Sequence, residues 1–435
     1  MQRKFNALIP GGAHTYAKGD DQFPEDTPVY LAKGNGCHVW DIDGNEFIEY
    51  GMGLRAVSLG HAYEPVVAAA YRQMLLGSNF VRPGIIELEC AEELLSIVTG
   101  AEMVKFGKNG SDVTSAAVKL SCAYTRRDLV AICKDHPFFS ADDWFIGTTP
   151  MSAGIPNVTR DLTVQFKYNS IQSVEALFQR YPGQIACLIM EPEKEIEPEG
   201  NFLHEVQRLC RLNGAVFILD EMICGFRWHL GGGQRYHNII PDLSTFGKAL
   251  GNGFSVSALT GKRELMRLGG LEHSKKRVFL LSLTHGAEHH CLAAALEVMK
   301  TYRREPVIES LWRQGERLAK GVQRSIDEHH LADYFQLSGK PCALVYTTLD
   351  REKRRSQPYR TLFLQETIRR GLLAPSLIVS YSHTDADIDH TIAIIYDALN
   401  IYRRALEDGV EKYLVGRPVK PVWGFSMPAM GRTPA

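Results

Sequence analysis

The amino-acid sequence predicts an α/β fold: a mostly parallel sheet with helices on both faces, and a second, smaller α+β domain. Short apolar runs alternate with helical patterns from about residue 100 to residue 260. One run, residues 214–219, is unbroken and ends in Asp220 and Glu221, as is typical of a buried parallel strand. The length of 435 residues exceeds the size of one hydrophobic core, which indicates two domains.

Composition and charge exclude several classes of function. A content of 45% hydrophobic and 23% charged residues is ordinary for a globular enzyme. The net charge of −1 offers no basic surface for nucleic acid and no polybasic patch for a membrane. We find no signal peptide, no apolar run that could span a bilayer and no C-x-x-C pair among the nine cysteines. We therefore expect a cytoplasmic protein with reduced thiols and without zinc.

The two ends of the chain are expected to build the smaller domain. We assign residues 1–60 to an N-terminal arm and part of the small domain, 61–300 to the large domain, and 301–435 to a C-terminal small domain. In the arm, residues 37–50 read as two strands around an Asp-Gly-Asn turn.

The C-terminal part shows its own pattern of elements. We predict helices over 307–329 and 385–406, strands over 343–347 and 377–380, and a proline-containing tail from residue 416 that wraps the surface or a partner.

The large domain opens with a pattern that is typical of an anion site. A short strand over 103–106 is followed by a loop that contains Gly110 and Ser111, and then by an alanine-rich helix. Free N–H groups and the positive end of the helix dipole favour a phosphate at such a point. Ser111 and Asp112 are also good helix-capping residues, which is the simpler interpretation.

Three strands of this domain are followed by side chains that can do chemistry. Glu191 follows the run 185–190, Asp220 follows 214–219, and Lys248 follows a short run that ends at Gly247. The carboxyl ends of parallel strands are where ligands bind in open α/β sheets. A buried acid and a buried amine at one sheet edge suit pyridoxal phosphate, which needs a lysine for its Schiff base and an acid for its ring nitrogen.

Three histidines, at 285, 289 and 290, invite a metal interpretation because positions i and i+4 share a helix face. Gly286 makes a continuous helix there doubtful, and no motif for a further ligand stands nearby. We therefore expect no metal.

The motifs together resemble the class III pyridoxal-phosphate aminotransferases of fold type I, especially the branch of glutamate-1-semialdehyde aminomutase. The resemblance runs from about Leu8 to the early 400s. The motifs that carry it are Ile9-Pro10-Gly11-Gly12, Trp40-Asp41-Ile42-Asp43-Gly44-Asn45, Leu59-Gly60-His61, Asn109-Gly110-Ser111-Asp112, Asp220-Glu221, Gly225-Phe226-Arg227 and Thr245-Phe246-Gly247-Lys248.

The resemblance implies a role for each matching position. Lys248 corresponds to the Schiff-base lysine, and Asp220 to the acid under the pyridine nitrogen. The other matches are the phosphate-loop residues Gly110 and Ser111, the pocket carboxylate Glu191, and Thr284, which in the family reaches the cofactor phosphate of the neighbouring subunit. A homodimer with shared active sites follows from the last match.

Two positions depart from the family pattern. Phe138 stands where the family usually has the tyrosine of a Tyr-His-Gly stretch, so ring stacking is kept and the hydroxyl is lost. Lys18 stands where the aminomutase has an arginine that holds the substrate carboxylate, and an ammonium group cannot reproduce the bidentate fork.

These departures shape the expected function. We expect an aminotransferase that takes an amino group from a donor such as glutamate and gives it to a carbonyl acceptor in a biosynthetic pathway. A sugar or polyol-like acceptor is the example we favour, because it would not need the missing arginine. Arg55 is a candidate for contact with a carboxylate, and the simpler interpretation is a surface arginine. The alternatives are an intramolecular aminomutase and a catalytically silent regulator with this fold.

Overall fold

A computed structural model describes residues 2–25, 27–28, 30–136 and 138–421. The chain divides into two compact units, one built from the chain up to residue 52 together with the chain from residue 310, and the other from residues 53–309. The boundaries expected from the sequence were 60/61 and 300/301. The last part of the predicted tail, from residue 422, lies outside the described residues.

The strands follow one another in chain order as β1 (Leu31–Asn35), β2 (His38–Asp41), β3 (Glu46–Glu49), β4 (Met103–Gly107), β5 (Leu129–Cys133), β6 (Thr163–Phe166), β7 (Ile185–Met190), β8 (Val216–Asp220), β9 (Leu243–Phe246), β10 (Ser257–Gly261), β11 (Phe335–Ser338), β12 (Val345–Thr348) and β13 (Leu372–Leu373). The helices are α1 (Gln2–Leu8), α2 (Met52–Arg55, a left-handed turn), α3 (Glu64–Leu76), α4 (Ile85–Ile97), α5 (Gly110–Thr125), α6 (Asp143–Ile146), α7 (Asn157–Asp161), α8 (Ile171–Arg180), α9 (Phe202–Leu212), α10 (Gly232–Tyr236), α11 (Arg263–Met266), α12 (His289–Arg304), α13 (Val307–Glu328), α14 (Gln357–Ile368) and α15 (Asp385–Asp408).

A seven-stranded sheet forms the centre of the 53–309 unit, in the order β4-β10-β9-β8-β7-β5-β6. Strand β10 pairs antiparallel with both of its neighbours, and the pairs from β9 to β6 are parallel. The expected α/β fold with a mostly parallel sheet is therefore confirmed. Since β7, β8 and β9 are adjacent and parallel, their carboxyl ends lie side by side.

The alternation of side chains along β8 explains why its sequence is uninterruptedly apolar. Val216 and Ile218 pack into a core with residues of α5, whereas Phe217 and Leu219 pack into a second core with residues of α9. Successive side chains of a strand point to opposite faces. Both faces of this sheet are covered, so every position of the strand has to be apolar until the chain reaches Asp220.

The other unit contains a four-stranded sheet in the order β1-β2-β3-β13 and the hairpin β11-β12. Helices α13 and α15 occupy the ranges predicted as helical. The predicted strand over 377–380 is wrong, although these residues are buried. Leu377 donates its N–H to Leu344 while Ile378 donates to Tyr50, so the backbone bonds to two different segments and no ladder forms.

The start of the tail lies against its own unit, because Lys420 donates its N–H to the carbonyl of Asp21 and Val419 donates to the hydroxyl of Thr361. Among the described residues, no helix is both long and apolar enough to cross a membrane.

Candidate active site

Asp220 ends strand β8 as a buried carboxylic acid. Its Oδ1 accepts two hydrogen bonds of 3.0 Å, one from the N–H of Met222 and one from Oγ1 of Thr245 on the neighbouring strand β9. Burial, with the nearby charge of Glu191 acting in the same direction, raises the pKa of Asp220 to about 7. Within the described part of the chain, nothing donates a hydrogen bond to its Oδ2, so one oxygen of this acid is left for a ligand.

Lys248 begins the 3-10 turn that follows β9, separated from that strand only by Gly247. Its backbone takes the left-handed conformation, with φ of 47°, which a side chain other than glycine adopts at a cost. Burial lowers the pKa of the ammonium group, and the charges of Asp220 and Glu191 oppose this effect. The acid and the amine proposed from the sequence therefore lie within electrostatic reach of each other at one edge of the sheet.

Met222 packs against the backbone on both sides of this edge. A Cβ added to Gly247 would lie 2.7 Å from its Sδ, and a Cβ added to Gly110 would lie 3.2 Å from the same atom. These two glycines are needed because the thioether passes close to the backbone, which leaves no room for a side chain. The side chain of Met222 thus contacts both the start of helix α5 and the turn that leads to Lys248, and Met222 itself follows strand β8.

The loop between β4 and α5 has the geometry of an anion site. Helix α5 begins at Gly110, with Asn109 as the N-cap residue and Asp112 three positions inside. Oδ2 of Asp112 accepts the N–H groups of Lys108, at 3.0 Å, and Asn109, at 2.8 Å. Asp112 therefore satisfies the amides before the helix. The first N–H groups of a helix have no partner within it, which leaves those of Gly110 and Ser111 for a ligand.

Ser111 also orders the loop on the other side of the site. Its Oγ accepts the N–H of Ala141 at 2.8 Å. Phe138, three residues earlier, is 53% exposed and its ring meets that of Phe145 edge-on, with the centroids 5.8 Å apart. The next residue, Phe139, is buried in the core.

Glu191 follows β7 and is buried. Its N–H donates to Nδ1 of His136 at 3.1 Å, which places the imidazole proton on Nε2. Burial first, and then the charge of Lys194, lowers the pKa of His136 to about 3, so this ring is neutral. His136 thus holds the turn of Glu191 in place without adding charge.

Arg55 does not lie freely on the surface, which corrects the simpler interpretation of that residue. It is half-buried, and its carbonyl accepts a hydrogen bond of 2.9 Å from Nη2 of the buried Arg227. Burial lowers the pKa of its guanidinium group, against the charges of Glu191 and Glu195. The charge of Glu191 therefore acts on both Arg55 and Lys248.

Two other residues predicted for the site, Thr284 and Lys18, are exposed. Thr284 is exposed, and its carbonyl accepts a hydrogen bond of 3.1 Å from Nδ2 of Asn79. Lys18 is an exposed residue of a 3-10 turn, Tyr16–Lys18, in the unit formed by the chain ends.

Comparison with known proteins gives a family for this arrangement. A family model described as "Aminotransferase class-III" matches residues 17–136 and 139–399. The chain belongs to this family. Membership confirms the expected resemblance, the fold type I architecture and pyridoxal phosphate as the cofactor.

Individual relatives support the same family. A glutamate-1-semialdehyde 2,1-aminomutase from Pelodictyon phaeoclathratiforme is 31% identical over 428 residues, which cover 91% of this chain and 96% of that protein. The FumI protein of Sphingopyxis sp. MTA144, solved in its PLP internal aldimine form, is 24% identical with a TM-score of 0.85, covering 94% of this chain and 96% of that one. An omega-transaminase from Sphaerobacter thermophilus is 24% identical with a TM-score of 0.84, covering 92% and 97%.

The side chains of this class III chain fit the cofactor on two observations. Asp220 is a buried acid with one uncommitted oxygen, as a partner for a ring nitrogen must be. Helix α5 begins at Gly110, so the N–H groups of its first turn can bind a phosphate.

Sequence reasoning missed Met222, Thr245, His136 and Lys194 as members of the site. Thr245 is paired with Asp220 in the parallel register of β8 and β9, and this pairing depends on a strand order that the sequence does not reveal. Met222 packs its thioether against the backbone at Gly110 and Gly247, and His136 accepts a hydrogen bond through a ring nitrogen. Neither contact leaves a pattern in the sequence. Lys194 stands three residues past Glu191, where a lysine is ordinarily exposed.

Proposed function

We propose that this class III enzyme is a pyridoxal-phosphate-dependent aminotransferase that moves an amino group from a donor such as glutamate to a carbonyl acceptor. The observation that carries the proposal is the convergence of a buried acid, Asp220, and a half-buried amine, Lys248, on the carboxyl ends of adjacent strands. An acid that is held by two hydrogen bonds and an amine whose pKa is lowered by burial are both prepared for proton chemistry.

Each residue is assigned a task toward the cofactor. Lys248 would hold it covalently, Asp220 would keep the ring nitrogen protonated, and the helix start at Gly110 and Ser111 would bind its phosphate. Phe138 would cover one ring face, and Glu191 would line the pocket beside Asp220. When bound, the cofactor supplies an electron sink for the carbanion at the substrate Cα.

Lys248 would then act as the group that moves the proton. Its neutral amine would take a proton from the substrate Cα and, as an ammonium group, would give a proton back within the same site. The lowered pKa favours this role because a larger share of the amine is unprotonated at working pH. Glu191 and Asp220 limit that lowering, so the amine is still able to accept a proton.

The identity of the amino acceptor is less well supported than the class of reaction. A sugar or polyol-like acceptor was expected only because Lys18 replaces an arginine, and neither the site nor the relatives add support for it. An intramolecular aminomutase is the second candidate, and the name of the relative from Pelodictyon phaeoclathratiforme favours it at least as well.

Omitting the external acceptor distinguishes the two candidates. The purified enzyme would be given glutamate alone, and the cofactor spectrum and 2-oxoglutarate would be followed. An aminotransferase converts one equivalent per site and stops, and then resumes when a carbonyl acceptor is added. A mutase turns over many times on glutamate-1-semialdehyde alone. A catalytically silent regulator does neither.

We further propose a homodimer in which each subunit completes the site of the other. The support is an exposed Thr284 and a set of exposed apolar side chains concentrated between residues 67 and 88. These side chains are Val67, Tyr71, Met74, Leu75, Leu76, Phe80, Val81, Ile85 and Leu88. Apolar patches of this kind mark interaction surfaces. Light scattering after gel filtration should give twice the mass of the 48.7 kDa chain, and a mass of one chain would contradict the proposal. A cytoplasmic, biosynthetic role stays a prediction.

A further inference from the structure

We propose that Cys37, His38 and Asp387 form a binding site for one zinc ion, in the unit built from the two ends of the chain. Each side chain offers one ligand atom, and these atoms lie within 4.8 Å of one another. A thiolate, an imidazole nitrogen and a carboxylate oxygen are the kinds of ligand that proteins offer to zinc. None of the three residues belongs to the candidate active site, so zinc binding stands apart from the proposed reaction.

The spacing of the ligand atoms suits a small tetrahedral ion. Zinc binds nitrogen and oxygen at about 2.0–2.2 Å and sulfur at about 2.3 Å, so two of its ligand atoms are about 3.3–3.6 Å apart. Nε2 of His38 lies 3.1 Å from Oδ1 of Asp387. Because all three ligand atoms are already within 4.8 Å, shifts of about 1 Å at the side-chain tips would close the site around the ion.

The imidazole of His38 lies between two carboxylates, and this arrangement favours a bound cation. Its Nδ1 is 2.8 Å from Oε1 of Glu46, and its Nε2 is 3.1 Å from Oδ1 of Asp387. A neutral imidazole carries one hydrogen, so it can donate to only one of these oxygens. Zinc on Nε2 would bind the carboxylate of Asp387 as well, while Nδ1–H donates to Glu46. Histidine ligands of metals almost always donate their second ring nitrogen in this way.

The register of the sheet sets the orientation of the imidazole ring. His38 begins strand β2 and is paired with Ile48 of strand β3. Side chains two positions apart on a strand share a face, so Glu46 stands diagonally across from His38, within reach of a long side chain. The contact between Glu46 and Nδ1 therefore turns Nε2 toward Asp387.

The start of helix α15 fixes the carboxylate of Asp387. Asp387 is the third residue of this helix, and its Oδ2 accepts the N–H of the N-cap residue Thr384 at 2.8 Å and the hydroxyl of Thr384 at 2.6 Å. Oδ1 takes no part in this cap and lies beside His38. A ligand carboxylate that is itself hydrogen-bonded keeps its orientation toward a metal, so the cap prepares Oδ1 for the ion.

Cys37 supplies the buried ligand. Its thiol is free, and its Sγ lies 3.7 Å from the carbonyl oxygen of Ser382. The carbonyl of Cys37 accepts the N–H of Glu49 at 2.8 Å, which holds the backbone of the turn before β2. The side chain of His38 is 31% exposed, so an ion can enter from solvent. On binding, the thiol would release its proton to water, and a water molecule would complete the tetrahedron.

A zinc ion at this site would join segments that are far apart in the sequence. His38 and Asp387 are separated by 349 positions, which explains why no short cysteine or histidine motif marks the site. A metal that closes so long a loop and binds only the folded chain stabilises the fold. We therefore assign the ion a structural role, in which it ties strand β2 to helix α15.

A second group of similar composition provides a matched comparison. Glu288, His290 and Cys291 also bring one ligand atom each within 4.8 Å of the others. At this group, the ammonium of Lys108 already forms an ion pair with Glu288. A cation beside the carboxylate repels a metal ion, so we expect zinc at Cys37 and not at Cys291.

The test measures zinc bound to the holoenzyme. The protein would be stripped with a chelator and dialysed against zinc chloride, and its zinc content would be measured by atomic emission. We expect one zinc ion per chain and an increase in Tm of about 3–5 °C at saturating zinc. Cys37→Ser and His38→Gln should each weaken zinc binding by more than about 100-fold. Cys291→Ser, the same change in the comparison group, should bind zinc as wild type does.

A variant beside the site guards against loss of zinc through misfolding. Glu46 is exposed, so Glu46→Gln should keep the Tm of the zinc-free protein. It should still weaken zinc binding by about 10-fold to 100-fold, because Nδ1 of His38 loses its charged partner. Absence of zinc from the dialysed wild type would overturn the proposal, and His38 would then be an imidazolium ion between its two carboxylates. Wild-type zinc content in both Cys37→Ser and His38→Gln, or loss of zinc in Cys291→Ser, would overturn it as well.

Discussion

Oγ1 of Thr245 donates a hydrogen bond of 3.0 Å to Oδ1 of Asp220, across the parallel pair of strands β8 and β9. Both residues are buried, and Thr245 lies three residues before Lys248. The strand that leads to the amine thus also holds the acid. This bond favours the ionised form of Asp220, against the effect of its burial.

Thr245→Val should therefore weaken catalysis without unfolding the protein. The methyl group keeps the shape of the side chain, but the carboxylate loses a donor, so the pKa of Asp220 should rise further. We expect kcat to fall by about 10-fold, which corresponds to the net value of one buried hydrogen bond. Thr245→Ser, which keeps the hydroxyl, should retain most of the activity; a Thr245→Val enzyme with wild-type kcat would show that the bond is unimportant.

Asp220→Asn should lose far more activity than stability. An amide cannot carry the negative charge that keeps a ring nitrogen protonated, while its Oδ1 can still accept from Met222 and Thr245. We expect a decrease in kcat of at least about 100-fold, comparable to the loss of a positioned acid–base group. Steady-state kinetics and thermal unfolding of the same preparation would test this, and near-wild-type kcat would speak against an essential carboxylate.

The same carboxylate should make the cofactor-free protein less stable as the pH rises. The pKa of Asp220 is about 7 in the folded protein, against an ordinary value of 3.8, so the folded state binds more protons than the unfolded state between these two pH values. The free energy of unfolding should then fall from about pH 4 to about pH 7, by a few kcal/mol in all, relative to Asp220→Asn. Urea titrations of both proteins at several pH values would reveal this fall. The same pH dependence of the free energy of unfolding in both proteins would mean that the pKa of Asp220 is not raised in the folded protein.

How much of this site the sequence could predict depends on the kind of residue. Glu191, Asp220 and Lys248 were predictable because each follows an apolar run, and the carboxyl ends of parallel strands share one edge. The order of their strands in the sheet, β9-β8-β7, was not predictable, because strand order depends on long-range packing.

Other features were hidden for physical reasons. Met52, Leu54 and Arg55 have left-handed backbone, although none of these residue types prefers it. Nothing in the sequence therefore indicates the left-handed turn over 52–55. The apolar run 377–380 has the composition of a strand, but its N–H groups bond to two separate segments. Composition predicts burial there, and it does not reveal which partner the backbone will find.

Gly247→Ala should destabilise the protein through contact with Met222. The new Cβ would lie 2.7 Å from Sδ, closer than atoms in proteins pack, so the thioether or the lysine turn must move. We expect a loss of about 1–3 kcal/mol in the free energy of unfolding. The double variant Gly247→Ala with Met222→Ala should recover part of it. If the glycine substitution proved equally costly with and without the methionine side chain, this contact would not be the cause.

The most direct test of the account is to find which lysine carries the cofactor. The holoenzyme would be reduced with borohydride, which makes the bond between lysine and pyridoxal phosphate permanent, and the digested protein would be mapped by mass spectrometry. Our account predicts the added mass on the peptide that contains Lys248, in wild type and in Lys194→Met, and no added mass in Lys248→Ala. Recovery of the cofactor on Lys194, or on any peptide of the Lys248→Ala protein, would contradict it.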